Sequence, residues 1–319
     1  MHPLLLALDF GGTKHAAAVL GAGEKQWLDR RRAFSPPHAD AKTDLEIMRS
    51  LIHDLLQGEL PAAIGVSFGG PVDATTGTVR LSHHVPGWEN IPLATLFSTE
   101  FGAATSVDND ANVAALGEHR FGAGQGYSSL MYITVSTGVG GGWILNDRLW
   151  GGAEGMAGEV GHTVVDPTGP LCLCGKRGCL ERLASGPYIA QQVRERMQQF
   201  PSQGKLVRDL VGDDLAGITA ERVSQAATQG DELAREVMQT AGWALGVSIG
   251  NAANLINPQR FVLGGGVTKS GSDFWDTARR VARETALPEV NFEIVPAALG
   301  DEAPLWGAVA LASDLLLSR

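Results

Sequence analysis

The sequence predicts an α/β protein built of two similar domains around a nucleotide cleft, and three observations carry that expectation. Short apolar runs alternate with segments whose apolar residues recur at spacings of three and four, the pattern of strands alternating with helices. A unit of strand, glycine turn and strand opens the chain: Leu4 to Phe10, then Gly11-Gly12-Thr13-Lys14, then His15 to Leu20. The same unit recurs as Leu130 to Val135, the turn STGVGGG beginning at Ser136, and Trp143 to Leu145. Glycine lets backbone N–H groups approach phosphate oxygens, and a third such turn, Gly264-Gly265-Gly266, follows a C-terminal strand.

The elements follow in order. Leu45, Met48, Leu51, Ile52 and Leu55 mark a helix after the first hairpin. A buried strand, Ala62 to Phe68, leads into the turn GGPVD and a short return strand near Thr78 to Leu81. Pro92 to Phe101 reads as a helix opened by proline in its first turn. Val107 closes a strand that feeds DNDAN. Beyond the second hairpin come helices at Pro187 to Gln199, Thr219 to Thr228 and Glu232 to Ile256, then a strand at Phe261 to Leu263 and a helix at Phe274 to Thr285. Ser202 to Gly217 is polar and reads as a loop. The apolar helix Ala303 to Leu317 is expected to pack back on the first domain. The expected division is therefore 1–109, completed by 301–319, and 110–300.

At 44% apolar residues the chain can bury a sizeable core, while its net charge of −10 argues against nucleic acid or an anionic membrane as partner. No apolar run reaches the length of a membrane span. The N-terminal LLLAL is cut short by Asp9 with no Lys or Arg ahead of it, which reads as a strand and not a signal peptide. Clustered reduced thiols agree with these features, and the expected location is the cytoplasm.

Those thiols, Cys172, Cys174 and Cys179, are the only cysteines, and an odd set within eight residues cannot pair off. Gly175 and Gly178 between them let the backbone turn around an ion. Three thiolates leave one corner of a tetrahedron, and His162, ten residues before Cys172, is the nearest good donor. Cys₃His is a common structural zinc set. Glu159 lies three residues before His162, and Glu181 two after Cys179. A carboxylate on each side suggests that the metal holds acceptors in place and does no chemistry itself. Either glutamate alone would read as a solvated surface charge.

Asp9 at the end of the first strand could hold Mg²⁺, directly or through water, and Thr13 adds a hydroxyl to the turn beside it. Alone, DFGGTK is equally an ordinary β-hairpin, and it has neither the G-x-G-x-x-G nor the Walker spacing. VDNDAN supplies a candidate base: Asn109 and Asp110 sit where a strand gives way to a helix, near the positive end of its dipole. Either could be a simple helix cap, but the doubled Asn-Asp with Asn112 exceeds what capping needs.

On these residues the chain resembles the ROK-family sugar kinases (repressor, open reading frame, kinase) of the glucokinase-like type. DFGGTK resembles the family's first phosphate hairpin, STGVGGG the second, and GGGV the adenosine-side turn. GEVGH…CLCGKRGCLE resembles its zinc signature, and GWEN, Gly87 to Asn90, its sugar-side loop. The likeness runs from Leu4 to about Ala312. It implies a two-domain actin-like ATPase (ribonuclease H-like) fold with an interdomain cleft, and ATP-dependent phosphorylation of a hexose, glucose to glucose 6-phosphate first among the candidates. It also implies roles. Asp110 would be the general base, with Gly70, Asn109, Glu159, His162 and Glu181 beside it at the sugar. Asp9, Gly11, Gly12, Thr13, Lys14, Thr137, Gly138, Gly265 and Gly266 would serve ATP and Mg²⁺. His162, Cys172, Cys174 and Cys179 would hold structural zinc, and the protein would be a homodimer or homotetramer.

Some positions depart from the family. Gly69-Gly70 stand where Pro-Gly is frequent, and Ser136-Thr137-Gly138 where Gly-Thr-Gly is; both changes keep the backbone donors. His83-His84 stand before GW where many glucokinases carry Asn-Leu, which leaves fructose and N-acetylated mannosamine or glucosamine open as substrates. A sugar sensor without catalysis is disfavoured by Asp110 and the two glycine turns. A zinc hydrolase is disfavoured because four protein ligands leave no open coordination position. Only eight residues precede Asp9, so the DNA-binding role of the family's repressors is not expected.

Overall fold

The computed structural model describes residues 3–82, 85–212 and 214–317. Two compact units divide the chain: Met1–Tyr127 with Gly142–Ala157 and Ala298–Arg319, and Ser128–Gly141 with Gly158–Ala297. These divisions lie elsewhere than the expected ones, and packing explains the difference. The helix that begins at Asp110 lies along the C-terminal helix and so stays with the first unit.

In the first unit, β1 (Leu4–Phe10), β2 (Lys14–Gly21) and β3 (Asp29–Phe34) run antiparallel. Helix α1 (Ala41–Leu56) then carries the chain over to β4 (Ala63–Phe68), parallel to β1. After the two-residue strands β5 (Val72–Asp73) and β6 (Thr78–Val79), α2 (Leu93–Phe101) leads to β7 (Ala104–Asn109), parallel to β4. The sheet order is β3-β2-β1-β4-β7. Strand β1 is apolar on both faces because both are covered. Leu6 and Leu8 belong to one core with Met48, Ile52, Phe97 and Trp88. Leu5 and Ala7 belong to another with Val113, Leu305 and Ala308, from α3 (Asp110–Phe121) and α10 (Ala303–Leu317).

The other sheet comprises β8 (Ser129–Val135), β9 (Val139–Leu145), β10 (Arg148–Trp150), β11 (Arg260–Gly264) and β12 (Glu293–Pro296). Its order is β10-β9-β8-β11-β12. In order of appearance both sheets therefore read third, second, first, fourth, fifth, the duplicated arrangement of an actin-like ATPase. Helices α4 (Leu180–Ala184), α5 (Gly186–Gln199), α6 (Lys205–Val211), α7 (Ala220–Thr228), α8 (Glu232–Ile256) and α9 (Ser272–Thr285) all belong to the second unit, whereas β10 and the end of β9 fall in the first. Among the described residues no helix is long and apolar enough to cross a membrane.

Several elements differ from expectation. The segment 202–217 holds α6, which buries Val207, where a loop was expected. β3 carries the sequence DRRRAF and is mostly exposed, so its pairing with β2 makes it a strand and no apolar pattern marks it. The second hairpin's return strand starts at Val139, four residues before Trp143.

Helix α10 meets α3 at backbone distance. A Cβ on Gly307 would lie 1.7 Å from the Val113 carbonyl oxygen. Gly307→Ala should therefore prise α10 from α3 and cost about 1–3 kcal/mol or more. Thermal denaturation should show a midpoint lower by roughly 5 °C, and an unchanged midpoint would mean that the two helices separate freely.

Candidate active site

Parallel strands deliver functional groups at their carboxyl ends, and the register of the first sheet decides which groups meet. Asp9 pairs with Ser67 and Ser67 with Asp108; Phe10 pairs with Phe68 and Phe68 with Asn109. The residues that follow, Gly11, Gly69 and Asp110, therefore leave the sheet side by side. Gly69 donates its N–H to the Phe10 carbonyl at 2.8 Å, and a Cβ built on it would be 3.8 Å from Asp110 Oδ2. The first turn is closed by Gly11 N–H donating to the Lys14 carbonyl at 3.1 Å, with Gly12 and Thr13 exposed at its tip.

Asp9 accepts one hydrogen bond, from the Ser67 hydroxyl at 2.8 Å. Burial pushes its carboxyl up to about 6; the Ser67 bond opposes this, and the neighbouring Asp110 charge adds to it. Asn109 caps α3 by accepting from Ala111 N–H at 3.0 Å, and its amide donates to the Gly70 carbonyl at 3.1 Å. Asp110 Oδ1 also accepts from Ala111 N–H, at 2.8 Å. Asn112 has a different task from Asn109: it donates to the buried Asp108 at 3.1 Å, beside the Asn109 N–H at 2.7 Å. Burial raises the Asp108 carboxyl, and these two donors temper the rise. Ser67 and Asp108 carry no motif. Only strand pairing brings them to this edge.

In the second unit the acceptors gather around the start of β9. Glu181 on α4 accepts the Val139 N–H at 3.0 Å, just after the second turn. The single 3₁₀ turn Val160–His162, preceded by Glu159, is pressed onto the same residue: a Cβ on Gly161 would lie 2.1 Å from the Val139 carbonyl. The donor atoms of His162, Cys172, Cys174 and Cys179 all lie within 4.8 Å of one another. Cys174 Sγ and Cys179 Sγ are 3.5 Å apart, and the buried His162 Nδ1 has no hydrogen-bond partner. An orphan ring nitrogen beside three thiols fits a metal that takes nitrogen and sulfur ligands, so the four could hold such an ion.

A pocket of about 710 Å³ in the same unit is lined by Ser136 and Thr137 of the second turn and Gly266 and Val267 of the third. Pro187 and Arg194 of α5, Glu221 and Ser224 of α7, and Lys269 complete it. Gly265 has φ +90° and a Cβ there would sit 2.4 Å from the Val135 carbonyl, so only glycine lets the third turn close on β8. Arg194 and Glu221 have no sequence signal, because the folding of α5 and α7 alone brings them to the turns, whereas Lys269 follows the third turn directly in the chain. His83 and His84 lie outside the described residues.

The Asp9 shift makes a prediction with a definite sign. A carboxyl raised from 3.8 to about 6 favours the protonated form in the fold, so its stabilising effect is complete below the lower value and lost as pH rises through the upper. Asp9→Asn should therefore be more stable than wild type near pH 8, by roughly 1–2 kcal/mol after allowance for partial exposure, while near pH 4 the two should melt alike. Calorimetric scans at the two pH values check this; a gain that is the same at both would refute it.

With the geometry in hand, comparison with known proteins is informative. The sequence profile of the ROK family matches residues 5–315. The glucokinase of Thermotoga maritima is 30% identical over 315 residues, covering 97% of each chain. An N-acetylmannosamine kinase of Escherichia coli is 32% identical over 319 residues, covering 98% of this chain and 99% of its own. A crystal structure of a ROK family glucokinase from Streptomyces griseus, in complex with glucose and AMPPNP, superposes with a TM-score of 0.83 at 33% identity, covering 98% of this chain and 99% of that one. Family profile, sheet order and glycine turns agree, and the chain belongs to the ROK family, among its glucokinase-like sugar kinases.

Proposed function

We propose that the chain transfers the γ-phosphoryl group of ATP to a hexose, glucose first, with Asp110 as general base. The observation that carries this reading is Asp110 itself, at the first residue of α3, beside the ends of β1 and β4 and next to the first glycine turn. The sugar hydroxyl oxygen attacks the γ-phosphorus, its proton passes to the Asp110 carboxylate, and ADP leaves with the electron pair of the broken P–O bond. The Ala111 N–H holds that carboxylate in place, and the helix dipole favours its charged form before the proton arrives. Backbone donors of the turns at Gly12, Thr13 and Lys14, the first shaped by the Gly11 closure, and at Thr137 and Gly138 stabilise the charge on the transferred group. Asp9 would hold Mg²⁺ directly or through water, and the ion would supply further neutralisation of that charge. The nucleoside of ATP fits the pocket between the second and third turns, with Gly266 lining one side of it and Gly265 shaping the turn that carries it.

In the same reading Gly70 and Asn109 on the first unit, and Glu159, His162 and Glu181 on the second, take the sugar hydroxyls. A structural zinc held by His162, Cys172, Cys174 and Cys179 would keep Glu159 and Glu181 in place and has no open position for substrate. The metal-binding side chain of His162 would thereby link metal to sugar. A cytoplasmic homodimer or homotetramer is part of the proposal, supported by the family likeness. An N-acetylated amino sugar is the second reading, because the N-acetylmannosamine kinase is as similar to this chain as the glucokinase. A coupled ATP-consumption assay over glucose, mannose, fructose, N-acetylmannosamine and N-acetylglucosamine separates the two. Turnover of none of them would refute both.

Two variants test the machinery. Asp110→Asn should lower kcat by roughly 10² or more while sugar affinity stays within a few-fold, since a positioned base contributes about 10²–10⁴-fold. Near-normal turnover would remove Asp110 from its role. Cys174→Ser should lose zinc by elemental analysis and lose sugar binding by calorimetry, yet still bind the ATP analogue, because the nucleotide pocket lies outside the cysteine loop. A zinc-free variant with normal sugar affinity would break the link between metal and sugar.

A further inference from the structure

One carboxylate in the first unit gathers four segments of chain. Asp44, on α1, is 2% exposed. Its Oδ1 lies 2.8 Å from His15 Nε2 and accepts from the Ser35 hydroxyl at 2.7 Å, and its Oδ2 accepts from Trp88 Nε1–H at 3.3 Å. The His15 ring is fully buried and its Nδ1 has no partner, so the ring proton belongs on Nε2, where Asp44 accepts it. Burial alone would raise the Asp44 carboxyl, but the bonds from His15, Ser35 and Trp88 hold it below the usual range.

The partners of this carboxylate lie on two functional segments. His15 directly follows the first glycine turn, and Ser35 donates its backbone N–H to Thr13 of that turn at 3.0 Å. Trp88 stands in the loop 87–90, and the preceding Pro86 carbonyl accepts from Ala41 N–H at the start of α1, at 2.9 Å. The Trp88 indole also packs edge-on against Phe10, with centroids 5.4 Å apart, at the strand end that enters the turn. Packing alone does not account for Asp44. Burying an ion costs desolvation that an apolar side chain would avoid, so its retention needs a reason in the geometry it imposes.

We propose that Asp44 is a positioning residue that couples the sugar-side loop to the phosphate turn, so that sugar and nucleotide bind cooperatively. This rests on the kinase reading under Proposed function and on the likeness of Gly87 to Asn90 to the family's sugar-side loop. A ligand that orders Trp88 orders Asp44, and through Ser35 and His15 the backbone of the phosphate turn. The second ligand then meets a turn already held, which is positive coupling without a large structural change.

The test is calorimetry on the full chain with Mg²⁺ and AMPPNP, with and without the best hexose of the panel above. In the wild type the hexose should raise AMPPNP affinity by roughly fivefold or more. Asp44→Asn cannot accept from all three donors, and Trp88→Phe removes only the indole N–H. In both the coupling should fall towards one, while each ligand alone keeps its affinity within about threefold. A role in stability alone would lower the melting midpoint and leave the coupling untouched. If Asp44→Asn fails to fold, Trp88→Phe carries the test. Undiminished coupling in the folded variants, or no coupling in a wild type that binds both ligands, overturns the proposal alone. A wild type that binds neither overturns the kinase reading as well.

Discussion

Helix α10 approaches α3 and β4 so closely that backbone meets backbone, and the position of Asp110 follows from that approach. Added Cβ atoms would lie 1.7 Å from Val113 O at Gly307, 2.4 Å from Ala303 O at Gly117, and 1.8 Å from Ala308 O at Gly65. Three glycines on three elements thus set how closely α10 lies to α3 and to β4, and α3 starts at the proposed base. A displacement of about 1 Å at such a group can cost two orders of magnitude in rate, so the packing of the chain's last helix bears directly on the chemistry.

Buried carboxylates organise the rest of the first unit, and they differ in how well they are satisfied. Asp44 accepts from three side chains. Asp108 accepts from Asn109 N–H and Asn112. Glu118, fully buried, accepts backbone N–H groups of Ala123, Ala298 and Leu299, and so ties down the segments where the chain leaves the first unit and returns to it. Asp9 has Ser67 as its side-chain donor and is the one pushed up to about 6. A group left short of partners at the carboxyl end of a central strand is the expected mark of a site that awaits a cation or a substrate. The well-satisfied acids, by the same reasoning, hold backbone segments in place and await no ligand of their own.

In the second unit a single residue, Val139, is the meeting point. Its N–H is taken by Glu181, and its carbonyl lies against Gly161 in the turn that bears Glu159 and His162. The cysteine loop joins that turn to α4, so a metal held there would brace both Glu159 and Glu181 against the second glycine turn. The residues proposed for the sugar and those proposed for phosphate are thereby braced on the same few residues of backbone.

Much of this was legible in the sequence. Helical periodicity, glycine turns and cysteine spacing are local properties, set by backbone sterics and by how far a short loop can reach. For that reason α8 and α10, the two hairpins and the His-Cys cluster could be read from neighbouring residues alone. Ser67, Asp44 and Arg194 could not. Ser67 meets Asp9 across 58 positions and Asp44 meets His15 across 29, while Arg194 reaches its pocket only when α5 folds beside the turns. The exposed strand β3 and the true course of the two units were hidden for the same reason: edge pairing and helix packing are long-range, and no local pattern encodes them. The sequence by itself determined the fold class, the turns and the chemical types of the site residues. Tertiary structure alone decided which of them touch, because strand register and the approach of α10 depend on contacts between distant parts of the chain.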